Sequence, residues 1–257
     1  MEQEKTIHEF DMELICEYYS KLDRQGIGSP EMTIKALSFI DCLTEKSKIA
    51  DIGCGTGGQT LVIAQNTKGH ITGVDILPDF INILGDNTKK LKLQDRVTGI
   101  AASMDNLPFH NEEFDLMWCE GAIYNIGFER GITEWRKFLK KDGFIVVTDA
   151  SWLTEKRPAE IESYWTHHYP DITTIPNNVN IMQKSGYIPF AVFVQPENCW
   201  TDNYFTPQIP VQESFLKKYA GNKTVEEFIE GNRHEEEMYH KYKEYYGYVF
   251  YIGKKIH

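Results

Sequence analysis

No apolar run in this 257-residue chain approaches the ~20 residues a bilayer-spanning helix needs. The opening Met1-Glu2-Gln3-Glu4-Lys5 also lacks the apolar stretch of a secretory leader. A cytoplasmic protein without a membrane partner is therefore expected. Cysteine is sparse. Cys16, Cys42, Cys54, Cys119 and Cys199 are odd in number, far apart and form no C-x-x-C pair, which argues against a zinc site or disulfide framework and for free thiols in a reducing compartment. Positive charge is short as well: 27 Lys and Arg stand against 38 Asp and Glu, a net charge of -11, with no basic cluster able to follow a phosphate backbone. That disfavours a nucleic-acid partner. No repeat and no low-complexity tract is present.

What is there is a core. Apolar residues make up 41% and aromatics 13%, enough for one domain with a substantial insertion. Helical patterning over Phe10 to Leu22, and from the Ser29-Pro30 cap through Leu43, precedes the first strand. Strands then alternate with helices: strand Lys48 to Ile52, helix Gly58 to Gln65, strand His70 to Asp75, helix Pro78 to Leu91, strand Arg96 to Ala101. Strand Phe114 to Cys119, a helix near Phe128 to Leu139, the turn Lys141-Asp142-Gly143 and strand Phe144 to Thr148 complete the series. The alternation predicts a doubly wound α/β fold with a largely parallel sheet. Three regions follow: a helical cap over 1–47, a ligand-binding core over 48–149, and insertions with two last strands over 150–257. In the last region, Trp152 to Tyr169 reads as helix, Ile175-Pro176-Asn177-Asn178 as a turn, and Tyr187 to Val194 and Tyr248 to Ile252 as strands. Thr224-Val225-Glu226-Glu227 reads as a capping box, and the charge run Arg233 to Glu237 as a solvated helix face.

The sharpest motif is Asp51-Ile52-Gly53-Cys54-Gly55-Thr56-Gly57-Gly58, a strand running into a glycine turn and a helix. Glycines let the chain turn tightly and bring backbone N–H groups to a ligand. Gly53, Gly55 and Gly58 also satisfy G-x-G-x-x-G, so a dinucleotide site stays open on pattern alone. Asp51 separates the two readings. A carboxylate beside the turn repels a pyrophosphate and attracts a ligand bearing an ammonium and a sulfonium. Asp75 closes the second strand, where this fold places the acid that accepts hydrogen bonds from a ribose diol.

These motifs, with Ser103-Met104-Asp105-Asn106-Leu107-Pro108-Phe109 and Phe114-Asp115, resemble the class I S-adenosylmethionine-dependent methyltransferases, in particular the small-molecule branch of the ubiquinone/menaquinone-biosynthesis type. The resemblance covers Lys48 to Thr148. It implies a Rossmann-like sheet of seven strands with the last antiparallel, and S-adenosylmethionine as cofactor with S-adenosylhomocysteine as product. The implied cofactor site comprises Asp51, Gly53, Gly55, Thr56, Gly57 and Asp75, with Ser103 and Met104 flanking the adenine, Asp105 as a substitute partner for its amine, and Glu120 beside the methionyl end. Two departures stand out. Ser103 replaces the acid common among relatives, and Glu120-Gly121-Ala122-Ile123-Tyr124 does not copy the quinone-methylating pattern.

The expected partner is a small-molecule methyl acceptor, bound over the carboxyl ends of the strands. Tyr18, Tyr124, Trp152, Tyr164, Trp165, His168, Trp200 and Tyr204 are candidates for its wall, because aromatics combine apolar area with orientable polar tips. Tyr124 and His168 are the candidate catalytic groups. Tyr18 or Tyr19 is a candidate lid residue, and no metal site is expected. A homodimer is compatible with the sequence. Two other readings stay open: a nicotinamide-dependent oxidoreductase, and a non-catalytic S-adenosylmethionine-binding regulator.

Overall fold

The first strand sets the architecture. In β1 (Lys48–Ile52) every residue after the exposed Lys48 is buried, the mark of a strand covered on both faces. A computed structural model describes residues 12–256, and in it β1 pairs in parallel with β2 (His70–Asp75) on one side and β4 (Phe114–Cys119) on the other. Beyond β2 lies β3 (Val97–Ala101), and beyond β4 lies β5 (Leu139–Trp152), both parallel. The chain therefore leaves β1 in one direction and returns on its other side. The crevice at the carboxyl ends of β1 and β4 is the switch point where such sheets hold ligands.

The full order is β3-β2-β1-β4-β5-β8-β7, where β7 is Tyr187–Val194 and β8 is Tyr246–Lys255, with the two-residue β6 (Thr173–Thr174) against the end of β5. β8 runs antiparallel between β5 and β7. The expected sheet with its antiparallel last strand is thus formed, with β6 as an addition.

Helices α3 (Gly58–Asn66), α4 (Pro78–Lys90), α5 (Phe128–Trp135) and α7 (Ile175–Lys184) cover the sheet. Helix α2 (Pro30–Leu37) starts where Ser29 accepts from Met32 N, and packs on α3. At the carboxyl end of the strands, α1 (Met12–Tyr19) meets the insertion formed by α8 (Thr206–Lys218) and α9 (Lys223–Tyr242), through Tyr18, Phe215, Val225 and Ile229. The segment before the first strand and the segment before the last strand therefore share one cluster over the switch point.

Several local expectations are corrected. Phe10 lies outside the described residues, and α1 ends at Tyr19. Trp152 ends β5, and α6 occupies only Ala159–His168. Ile175-Pro176 opens α7 instead of making a free turn, since proline in a first turn gives up an N–H that has no intrahelical partner. Lys141-Asp142-Gly143 is absorbed into β5 as an irregularity, with Asp142 at φ 62°. Helix α9 is capped by Asn222, whose side chain accepts from Val225 N, one position ahead of the helix, so Thr224 is already inside it.

All five cysteines are free thiols. Among the described residues no helix is long and apolar enough to cross a membrane.

Candidate functional site

The glycine turn is built as its residue types demand. Gly53, Gly55 and Gly57 have φ of 72°, 55° and 102°, a left-handed region that costs any residue with a Cβ. Gly53 N and Cys54 N both donate to Val74 O, which fastens the turn to β2. At Gly55 there is a second demand, because a Cβ there would stand 2.2 Å from Gln25 Oε1.

Asp75 is held in place by two backbone donors. Gly55 N donates to one carboxylate oxygen at 2.9 Å and Leu77 N to the other at 3.0 Å. Burial raises its carboxyl above the usual range. Asp51 lies deeper, at 0% exposure. Thr60 donates to Oδ2 at 2.5 Å and Gln59 to Oδ1 at 3.2 Å, and burial pushes its carboxyl up to about 7. Asp51 therefore ties β1 to the start of α3 and offers no surface of its own.

The residues between α1 and α2 close over the turn, and the sequence reading did not single them out. Gln25 Oε1 accepts from Thr56 N at 2.9 Å, while its Nε2 donates to Thr56 Oγ1 at 2.9 Å and to Leu22 O at 2.7 Å. Next to it, Arg24 Nη1 donates to Glu120 Oε1 at 2.7 Å. Glu120 is 5% exposed and also accepts from Trp118 Nε1 and Thr33 Oγ1, both at 3.0 Å. Gly28 is required for this contact, since a Cβ there would lie 2.5 Å from Glu120 Oε1. The two glycines of Gly26-Ile27-Gly28 were the available sequence signal for this close approach.

On the adenine side the three expected residues divide. Met104 stays at the turn: its Cε would be 3.6 Å from a Cβ on Gly53, and its carbonyl accepts from Trp135 Nε1. Ser103 donates to Asp105, and Asp105 pairs with Arg130 at 2.7 Å on the surface. Those two engage each other and a neighbouring helix.

The acceptor candidates also separate. Trp200 is 0% exposed and stacks on Tyr239 at 4.3 Å, which makes it core. Tyr18 is 0% exposed and donates to Gln208 at 2.9 Å within the α1–α8 contact. Trp152 and Trp165 are buried against Tyr246. His168 is exposed and lies with His167, Tyr164 and His234 in a crevice of about 370 Å³ between α6 and α9, on the outside of the aromatic cluster. Tyr124 is half-buried and Tyr204 is 8% exposed; both keep company with Tyr19 and Glu235, a residue the sequence reading assigned to solvent. No group of three or more His, Cys, Asp or Glu among the described residues could hold a metal ion.

Taken together, the turn is ringed by the carboxylates of Asp51, Asp75 and Glu120, and the nearest guanidinium, Arg24, is already bound to Glu120. A pyrophosphate meets net repulsion there. Fold and site thus define a Rossmann-like α/β domain with a glycine turn of acidic character at its switch point.

Comparison with known proteins sharpens this. The methyltransferase domain profile matches residues 43–203, more than half of the chain, and the chain belongs to that family. Phosphoethanolamine N-methyltransferase of Plasmodium falciparum is 28% identical over 170 residues, 61% of this chain and 62% of that protein, so the match spans less than two thirds of the relative's length. An S-adenosylmethionine-dependent methyltransferase from Geobacter sulfurreducens, solved with S-adenosyl-L-homocysteine, superposes with TM-score 0.81 at 17% identity, covering 94% of this chain and 97% of the other. The [4+2]-cyclase SpnF superposes with TM-score 0.74 at 17% identity, over 95% and 92% of the two chains.

Proposed function

We propose that the protein transfers a methyl group from S-adenosylmethionine to a small-molecule acceptor. The observation that carries this reading is the acid-ringed glycine turn: three glycines at positive φ beside Asp75 and Glu120, with the adjacent cation Arg24 locked to Glu120. The relative and the Geobacter neighbour are both methyltransferases, which supports it.

Asp75 would accept from the ribose hydroxyls, and the backbone of Gly53 and Gly55 would lie against the nucleoside. Met104 would pack on the adenine, and Arg24 and Glu120 would meet the amino-acid end. When bound, the donor supplies an activated methyl on a sulfonium. The protein's task is then to hold an acceptor in line with that methyl and to exclude water. Gln25 and Arg24, lying over Thr56 and Glu120, contribute the exclusion. Tyr124, just beyond β4, is the candidate group at the reacting end.

Titration calorimetry tests the reading. S-adenosylhomocysteine is expected to bind at least 100-fold more tightly than NADH; the reverse order would overturn it in favour of the oxidoreductase. Because the fold also houses a [4+2]-cyclase, fold alone does not fix the reaction. Release of S-adenosylhomocysteine in the presence of acceptors separates transfer from mere binding.

A further inference from the structure

Helix α9 turns one carboxylate inward. Glu235 lies three, four and seven residues before Met238, Tyr239 and Tyr242, and those three are buried. Glu235 shares their face. Burial raises the Glu235 carboxyl, yet Glu235 and Tyr124 are both only half-buried, so part of each side chain remains reachable by water.

Tyr19, Tyr124, Tyr204, Tyr246 and Tyr248, from α1, the turn after β4, the turn before α8, and β8, lie close enough to feel its charge or share its contacts. The Tyr204 hydroxyl lies against its carboxylate. No lysine, arginine or histidine among the described residues forms an ion pair with it. A second polar group nearby is open: Tyr246 Oη and Trp165 Nε1 approach each other, buried, without completing a well-formed hydrogen bond.

A half-buried carboxylate without a counter-charge is costly until a cation meets it, and tyrosine faces present negative potential to cations. The position matches the reaction. Tyr124 follows Ala122 by two residues, and Ala122 Cβ would be only 2.3 Å from a Cβ on Gly53, so the tyrosines around Glu235 adjoin the turn proposed to hold the methyl donor.

We infer that the half-buried carboxylate of Glu235 and the tyrosines around it form the acceptor subsite, and that this subsite takes an amine, held as its ammonium by Glu235. The inference rests on the methyltransferase reading above. In the transfer, the ammonium gives one proton to the Glu235 carboxylate, which frees the nitrogen lone pair. The nitrogen–methyl bond forms as the sulfur–methyl bond breaks, the electron pair returns to sulfur, and the methylated ammonium leaves with the positive charge. Burial pushes the Glu235 carboxyl up to about 7, which suits a group receiving that proton near neutrality.

Calorimetry on the full chain saturated with S-adenosylhomocysteine tests this, using choline and its uncharged carbon isostere 3,3-dimethylbutan-1-ol. Choline is expected to bind at least 10-fold more tightly, and Glu235→Gln to reduce that preference to within 2-fold while S-adenosylhomocysteine affinity and melting temperature hold. Equal or absent binding of the two probes by the wild type overturns the inference without any variant, as does a preference that survives in a folded Glu235→Gln. Failure of S-adenosylhomocysteine itself to bind would sink the methyltransferase reading instead, so the two failures are distinguishable.

Discussion

Arg24 and Glu120, 96 positions apart, form an ion pair of 2.7 Å in which Arg24 is 10% and Glu120 0% exposed at the side chain. The pair joins the segment before the first strand to the end of β4, across the switch point. Removing one partner of a buried pair leaves the other charge uncompensated, at a cost of about 3–5 kcal/mol. Arg24→Ala should therefore lower the urea midpoint markedly and weaken S-adenosylhomocysteine at least 10-fold. Unchanged midpoint and affinity would show the pair to be incidental.

Gly55 and Gln25 should be coupled. Gly55→Ala places a Cβ where Gln25 Oε1 stands and strains a backbone at φ 55°. A loss of about 1–3 kcal/mol is expected, with S-adenosylhomocysteine binding weakened. Adding Gln25→Ala relieves the collision but not the strain, so the double variant should be more stable than the sum of the singles requires. A double-mutant cycle in urea measures that difference, and strict additivity would contradict it.

Trp200 should report on stability rather than on acceptor binding. It has no exposed surface and stacks on Tyr239. Trp200→Ala is expected to cost about 3–5 kcal/mol through the cavity it leaves. Trp200→Phe should recover most of that, with the acceptor KM unchanged. A raised KM in a stably folded Trp200→Phe would return this residue to the acceptor wall.

Asp149 sets a pH dependence. It is 1% exposed, accepts from Tyr169 at 3.1 Å, and its Oδ1 has no hydrogen-bond partner. Burial pushes its carboxyl from 3.8 up to about 8. In the window between those values the folded state holds a proton that the unfolded chain releases. The contribution to stability is therefore full below about pH 4 and is lost as pH rises toward 8. Relative to Asp149→Asn, the wild type should lose stability across that range, on the order of a few kcal/mol. Urea titrations of both proteins at pH 5 and pH 8.5 compare them; a constant difference would mean that Asp149 is ionised throughout.

How far the sequence could be read follows from the range of the forces involved. The glycine turn was legible because left-handed φ demands glycine locally, and Asp75 because strand length and the first crossover fix its place. β7 was read over Tyr187 to Val194, as found. The run Arg233 to Glu237 reads as solvated, which holds for the exposed Arg233, His234 and Glu237, whereas the half-buried Glu235 shares the apolar face of Met238, Tyr239 and Tyr242. The periodicity was present; the residue type outweighed it. Trp200 and Tyr124 show the complementary limit, since an aromatic residue patterns identically whether it fills a core or lines a cavity.

The sequence by itself determined the alternation of strands and helices up to Thr148, the turn geometry and the excess of negative charge, because these depend on backbone sterics, periodicity and composition. Tertiary structure alone decided that Gln25 reaches Thr56 over 31 positions, that Arg24 reaches Glu120 over 96, and that Glu235 lies among tyrosines from four separate segments. Those contacts arise from how separate elements pack, and packing is settled by the burial of whole faces against each other, a quantity no single segment contains.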